Sequence, residues 1–133
     1  MKKILSVLTV LALAGIAGAA DISDLTKKAD AGDAQAQYEL GMAYMNGEGV
    51  KVDEPKAAEL LGKAANKCHN EAMYEYGLAV FYGAGVTEDR VKGCSYLYTT
   101  TVDAAAYNCT QLLPDERTKA LAEADKLKKA LGK

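Results

Sequence analysis

The sequence predicts an all-α chain, an α/α solenoid of about seven helices built on two copies of one helix-turn-helix unit. Two observations carry that prediction. The stretch Ala36-Gln-Tyr-Glu-Leu-Gly-Met-Ala-Tyr-Met-Asn-Gly-Glu-Gly-Val50 returns 36 residues later as Ala72-Met-Tyr-Glu-Tyr-Gly-Leu-Ala-Val-Phe-Tyr-Gly-Ala-Gly-Val86. This offset pairs Tyr38 with Tyr74, Gly41 with Gly77, Gly47 with Gly83, Gly49 with Gly85 and Asp53 with Asp89. Self-similarity at one period marks stacked supersecondary units. Within the first copy, moreover, Ala36, Leu40, Ala43 and Tyr44 recur at helical spacing before the glycines interrupt them.

The elements follow in chain order. Met1-Lys2-Lys3, the apolar run Ile4–Ile16 and the small residues Ala17-Gly18-Ala19-Ala20 have the layout of a signal peptide over residues 1–20, cleaved after Ala19 or Ala20. The apolar run falls short of the roughly 20 residues that span a bilayer. The remainder, 21–133, reads as a single domain. Residues 21–32 form an N-terminal capping helix, 33–68 a first repeat and 69–103 a second. Residues 104–133 supply a partial repeat and a closing helix.

In the first repeat, Gly47 suits a left-handed helix end and Gly49 a tight turn. Asp53 can cap the next helix and Pro55 fits its first turn; Leu60 and Leu61 face inward. In the second repeat the corresponding helix is weaker. Lys92-Gly93-Cys94 replaces Lys56-Ala57-Ala58, and Thr99-Thr100-Thr101-Val102 replaces Lys63-Ala64-Ala65-Asn66. A glycine costs about 1 kcal/mol relative to alanine in a helix interior. A covalent tie is the natural remedy. If the chain turns near Val102 and Asp103, two antiparallel helices bring Cys94 and Cys109 within one residue of facing each other. The expected disulfide is therefore Cys94–Cys109, which leaves Cys68 as a free thiol or as a link between two copies.

The residues Gly32-Asp33-Ala34-Gln35-Ala36-Gln37-Tyr38, Leu40-Gly41, Tyr44, Gly47-x-Gly49-Val50, Asp53, Lys56-Ala57 and Lys63-Ala64-Ala65 resemble the Sel1-like repeat family, a relative of the tetratricopeptide repeat. The resemblance covers most of residues 25–112. It implies an α/α superhelix whose concave side binds proteins, and it places Tyr38, Tyr44 and Tyr74 in the core. Cysteine-rich members of the family carry disulfides between successive helices. Some are linked to binding or slow hydrolysis of β-lactams and cell-wall precursors, which is the alternative reading for this chain. Small exported members also resemble immunity proteins.

The residues offer no catalytic constellation. His69 is the only histidine, and adjacency to Cys68 does not make a nucleophilic pair without an orienting third group. Cys68, His69, Cys94 and Cys109 fit no zinc-ligand spacing, so no metal or cofactor is expected. The glycine pairs follow helices, whereas phosphate loops follow strands. No serine carries a Ser-x-x-Lys motif. Loss of the leader would lower the 16 basic residues to 14 against 18 acidic ones, moving the net charge from −2 to about −4. That balance excludes nucleic acid and anionic lipid as partners and favours a basic protein, such as a toxin or an envelope component.

The face left over by the family pattern is one stripe on each first helix. Gln35, Glu39, Met42 and Asn46 lie on the first, Glu71, Glu75, Leu78 and Tyr82 on the second. These eight are the candidate partner-binding residues of a periplasmic or secreted, non-catalytic adaptor or inhibitor.

Overall fold

The structure, a computed structural model, describes residues 22–100 and 108–133. The expected leader and the expected turn near Val102 and Asp103 lie outside the described residues. Among the described residues there are six α-helices, one turn of 3-10 helix and no strand. Helix α1 covers 22–30. Helices α2 (Ala34–Asn46) and α3 (Glu54–Ala65) form the first repeat, and α4 (Asn70–Tyr82) and α5 (Arg90–Thr100) the second. The 3-10 turn Cys109–Gln111 precedes α6 (Pro114–Ala130).

Local chemistry sets these boundaries. Gly47 and Gly83 are both left-handed, with φ of 74° and 73°, and their N–H groups bond back to the Ala43 and Ala79 carbonyls. The connections then repeat each other: Asp53 N–H bonds to Tyr44 O at 3.0 Å and Asp89 N–H to Val80 O at 2.9 Å. Each aspartate caps the helix that follows, accepting from Lys56 N–H at 3.0 Å and Lys92 N–H at 2.9 Å. The helix expected over residues 104–113 falls partly outside the described residues. Its visible end is shorter than expected, because Leu112 and Leu113 are extended. Pro114 explains the break at Leu113, since a proline disfavours the helical conformation in the residue before it.

Burial follows the repeat. Ala29 of α1 packs with Ala36, Leu40 and Leu60, so the first helix covers the open end of repeat one. The Gln37 amide donates to the Ala29 carbonyl at 3.0 Å and ties the two helices together. Leu61, Ala64 and Ala72 join α3 to α4. Phe81, Leu97, Leu112 and Ala120 surround the Cys94–Cys109 disulfide, whose Cα atoms are 5.8 Å apart. The expected pairing is thus present, at the centre of the second repeat's core.

Helix α5 forms over Arg90–Thr100 despite its poor propensity. A methyl added at Gly93 would lie 2.7 Å from the Phe81 backbone, so the glycine that weakens the helix also lets α4 and α5 approach. Ser95, Thr99 and Thr100 return their hydroxyls to the carbonyls of Lys92, Ser95 and Leu97.

Helix α6 starts beside the disulfide cluster and ends at the junction between the repeats. Ala120 and Ala124 are buried along it. Leu127 and Leu131 pack on Ala65, Met73 and Tyr96, and the Lys133 ammonium reaches Asn70 Oδ1. The charged positions Lys119, Glu123 and Lys126 remain exposed, as suits a terminal helix.

Candidate functional site

Helices α2 and α4 occupy equivalent places in the two repeats, and the eight stripe residues sit on them in three different situations. Gln35, Glu39, Asn46 and Glu71 are exposed. Met42 and Leu78 are half-buried against separate clusters, Met42 on Leu61 and Ala72 and Leu78 on the disulfide cluster. Tyr82 is 60% exposed, with its ring edge-on to Phe81 and its hydroxyl donating to Asn108 Oδ1 at 2.9 Å. Glu75 is half-buried. The stripe is therefore polar and acidic at its surface, with its aliphatic members turned partly into the core.

Several of these side chains hold one another. Gln35 donates to Glu39 Oε1 at 2.7 Å, and Asn46 donates to Glu48 Oε1 at 3.2 Å. The Gln35 carbonyl oxygen lies 2.7 Å from His69 Nε2. His69 is the N-cap of α4: its Nδ1 accepts from Ala72 N–H at 3.2 Å. Accepting there leaves Nδ1 without a proton and makes Nε2 the donor to Gln35. The Glu71 carboxylate stands 3.4 Å from Nδ1, but in this tautomer the two do not form an ion pair.

His69 thus does for α4 what Asp33 does for α2, where the carboxylate accepts from Ala36 N–H at 2.7 Å. His69→Ala is expected to lower stability by about 1 kcal/mol, with His69→Asp recovering most of the loss, as read from urea midpoints.

Between α2, α4 and the end of α5 lies a cleft of about 380 Å³, lined by Tyr38, Asn70, Glu71, Tyr74, Glu75 and Thr100. The His69 ring stacks on Tyr38, with centroids 4.7 Å apart. Burial raises the Tyr38 hydroxyl pKa above its ordinary value, and the carboxylates of Glu75, Glu71 and Glu39 raise it further. Burial also raises the Glu75 carboxyl, and among the described residues no cation pairs with it. A carboxyl whose folded pKa is raised stays protonated longer when folded than when unfolded. Its contribution to stability therefore declines as pH climbs from the ordinary carboxyl value through the raised one.

Sequence reasoning put Tyr38 and Tyr74 in the core and missed the cleft they wall. The signal was present in the offset of 36, which pairs Tyr38-Glu39 with Tyr74-Glu75. Cys68 is half-buried and left-handed, with φ of 66°, and its thiol points to the Leu131 carbonyl at 3.5 Å. Among the described residues, no group of three or more His, Cys, Asp or Glu side chains is placed to hold a metal ion.

Two stacked helix pairs with a further helix at each end define a solenoid of the protein-interaction class. The Sel1 repeat profile matches residues 34–67 and 70–99. The fold is also similar to the crystal structure of c5321, described as a protective antigen present in uropathogenic Escherichia coli strains displaying an SLR fold. That likeness has a TM-score of 0.78 and 25% identity over 84% of this chain, which spans 27% of the other protein. No curated protein matches the chain. The chain belongs to the Sel1-like repeat family.

Proposed function

We propose that this chain is an exported, non-catalytic binding module that holds one partner protein on the concave face made by α2 and α4. Its service is that of an envelope adaptor or of an inhibitor of a toxin or enzyme. The observation that carries the reading is the equivalence of α2 and α4 in the two repeats, which present Glu39, Glu71 and Tyr82 at the surface. The charge of this face favours a basic partner, and charge complementarity of that kind raises association rates more than affinity. The Cys94–Cys109 bridge supports export, because disulfides persist in oxidising compartments such as the periplasm.

Capture tests the reading directly. Tagged mature protein is used as bait in an envelope extract, beside a Glu39→Lys/Tyr82→Ala variant, whose changes fall on exposed side chains. One dominant partner is expected on the wild-type bait, with recovery at least about tenfold lower on the variant. Equal recovery on both baits moves the binding surface elsewhere.

A further inference from the structure

We propose that the cleft between α2 and α4 receives a single arginine side chain from an exposed basic segment of the partner, with Tyr38 and Tyr74 as its walls and Glu71 and Glu75 as its anions. The inference rests on the binding-module reading and adds to it the chemistry of the residue recognised.

Size comes first. Ligand pockets run from about 300 to 1,000 Å³, so about 380 Å³ suits one long side chain better than a folded element. Its lining then restricts the occupant. Tyr38 and Tyr74 enter from equivalent positions of the two repeats, and both are half-buried, so their rings are held rather than free. A planar guanidinium stacks on tyrosine faces and offers several N–H donors in one plane, whereas an ammonium is a compact, strongly hydrated charge.

Charge restricts it further. Glu71 and Glu75 line the cleft, and Glu39 is close enough for its charge to act on the Tyr38 hydroxyl. Two basic groups of the chain stand at the rim of the cleft, each held by a group other than Glu75. His69 gives its Nδ1 lone pair to Ala72 N–H and its ring face to Tyr38. The Lys133 ammonium is bonded to Asn70 Oδ1 and lies 3.8 Å from the Met73 sulfur. Glu75 is left half-buried without a cation among the described residues, an arrangement that costs the free protein stability and is relieved when a cation arrives. Partner binding is the event that would supply one.

The test uses the mature protein, labelled for amide-resolved NMR, and two capped tripeptides, Gly-Arg-Gly and its citrulline counterpart. Citrulline keeps the shape and loses the charge. Saturable shifts centred on the amides of Tyr38, Tyr74 and Glu75 are expected with the arginine peptide. Affinity should be about tenfold weaker for citrulline and for Glu75→Gln. Glu75→Gln is expected to melt at the same temperature as the wild type or higher, so weaker binding there is not a folding defect. No saturable shift, or equal shifts with both peptides, overturns the proposal without any variant being needed.

The capture experiment separates the two levels. A partner held on the concave face with no arginine-peptide binding sinks the cleft assignment alone. Arginine binding with no partner captured sinks the module reading and leaves the cleft chemistry standing.

Discussion

Replacing Gly85 with alanine is expected to cost the fold about 2 to 5 kcal/mol, from left-handed strain plus overpacking. Gly85 has φ of +70°, which a side chain adopts at a penalty. Its added methyl would also stand 2.6 Å from the Pro55 nitrogen and closer still to the Glu54 carbonyl. Both obstacles are backbone atoms of the first turn of α3, so no rotamer change makes room. Gly47→Ala is the internal control. Gly47 has a similar φ of +74°, but its methyl would meet the Val52 side chain at 2.9 Å, and Val52 is exposed enough to swing away. Urea denaturation of the two variants should therefore place Gly85→Ala well below Gly47→Ala. Equal midpoints would mean that the junction between the loop after α4 and the start of α3 yields easily.

Removing the Cys94–Cys109 bridge is the second large effect. Closing a span of 15 residues stabilises by about 3 kcal/mol in the chain-entropy description. Both cysteines are fully buried among Phe81, Leu97, Leu112 and Ala120, so the double Cys→Ala variant also leaves thin packing around them. Against a total of about 5 to 15 kcal/mol for a small domain, the loss is a large share. Reductant should lower the urea midpoint of the wild type and leave the double variant unchanged. Alkylation of the unreduced native protein should label at most Cys68. Two further labelled thiols, or a wild type indifferent to reductant, would contradict the structure at its core.

Much of the architecture is legible in the chain because it rests on local rules stated twice. Gly47 and Gly83 end helices through a conformation that glycine adopts freely, and Asp53 and Asp89 cap through their own side chains, so each can be read from a few neighbouring residues. The disulfide is legible because the spacing expected of two antiparallel segments pairs Cys94 with Cys109, and that bridge is present.

What the sequence hides depends on contacts between helices. Gly93 reads as a weakness until the Phe81 backbone is seen against it. His69 reads only as a lone histidine beside Cys68, although it stands 36 residues after Asp33 and takes over its capping role. On the candidate face, helical spacing puts Met42 on one stripe with Glu39 and Leu78 on another with Tyr82. Spacing alone says nothing of how far the neighbouring helix rises beside each residue, and that height decides which side chains are half-covered. The Tyr38–Tyr74 cleft is hard to read for a related reason: the offset of 36 pairs its two walls, but they belong to different repeats and only packing brings them together.

The return of α6 to the junction between the repeats has a consequence for how the molecule comes apart. In a long solenoid each unit touches only its neighbours, so unravelling starts at a free end and advances one repeat at a time. Here the last helix grips Ala65, Met73 and Tyr96 through Leu127 and Leu131. Peeling it away opens the seam between α3 and α4 in the same act and uncovers the Cys68 thiol beneath the Leu131 carbonyl. A two-repeat array buckled in this way behaves as a clasp rather than a zipper: its end and its middle let go together, and the cysteine reports the moment they do.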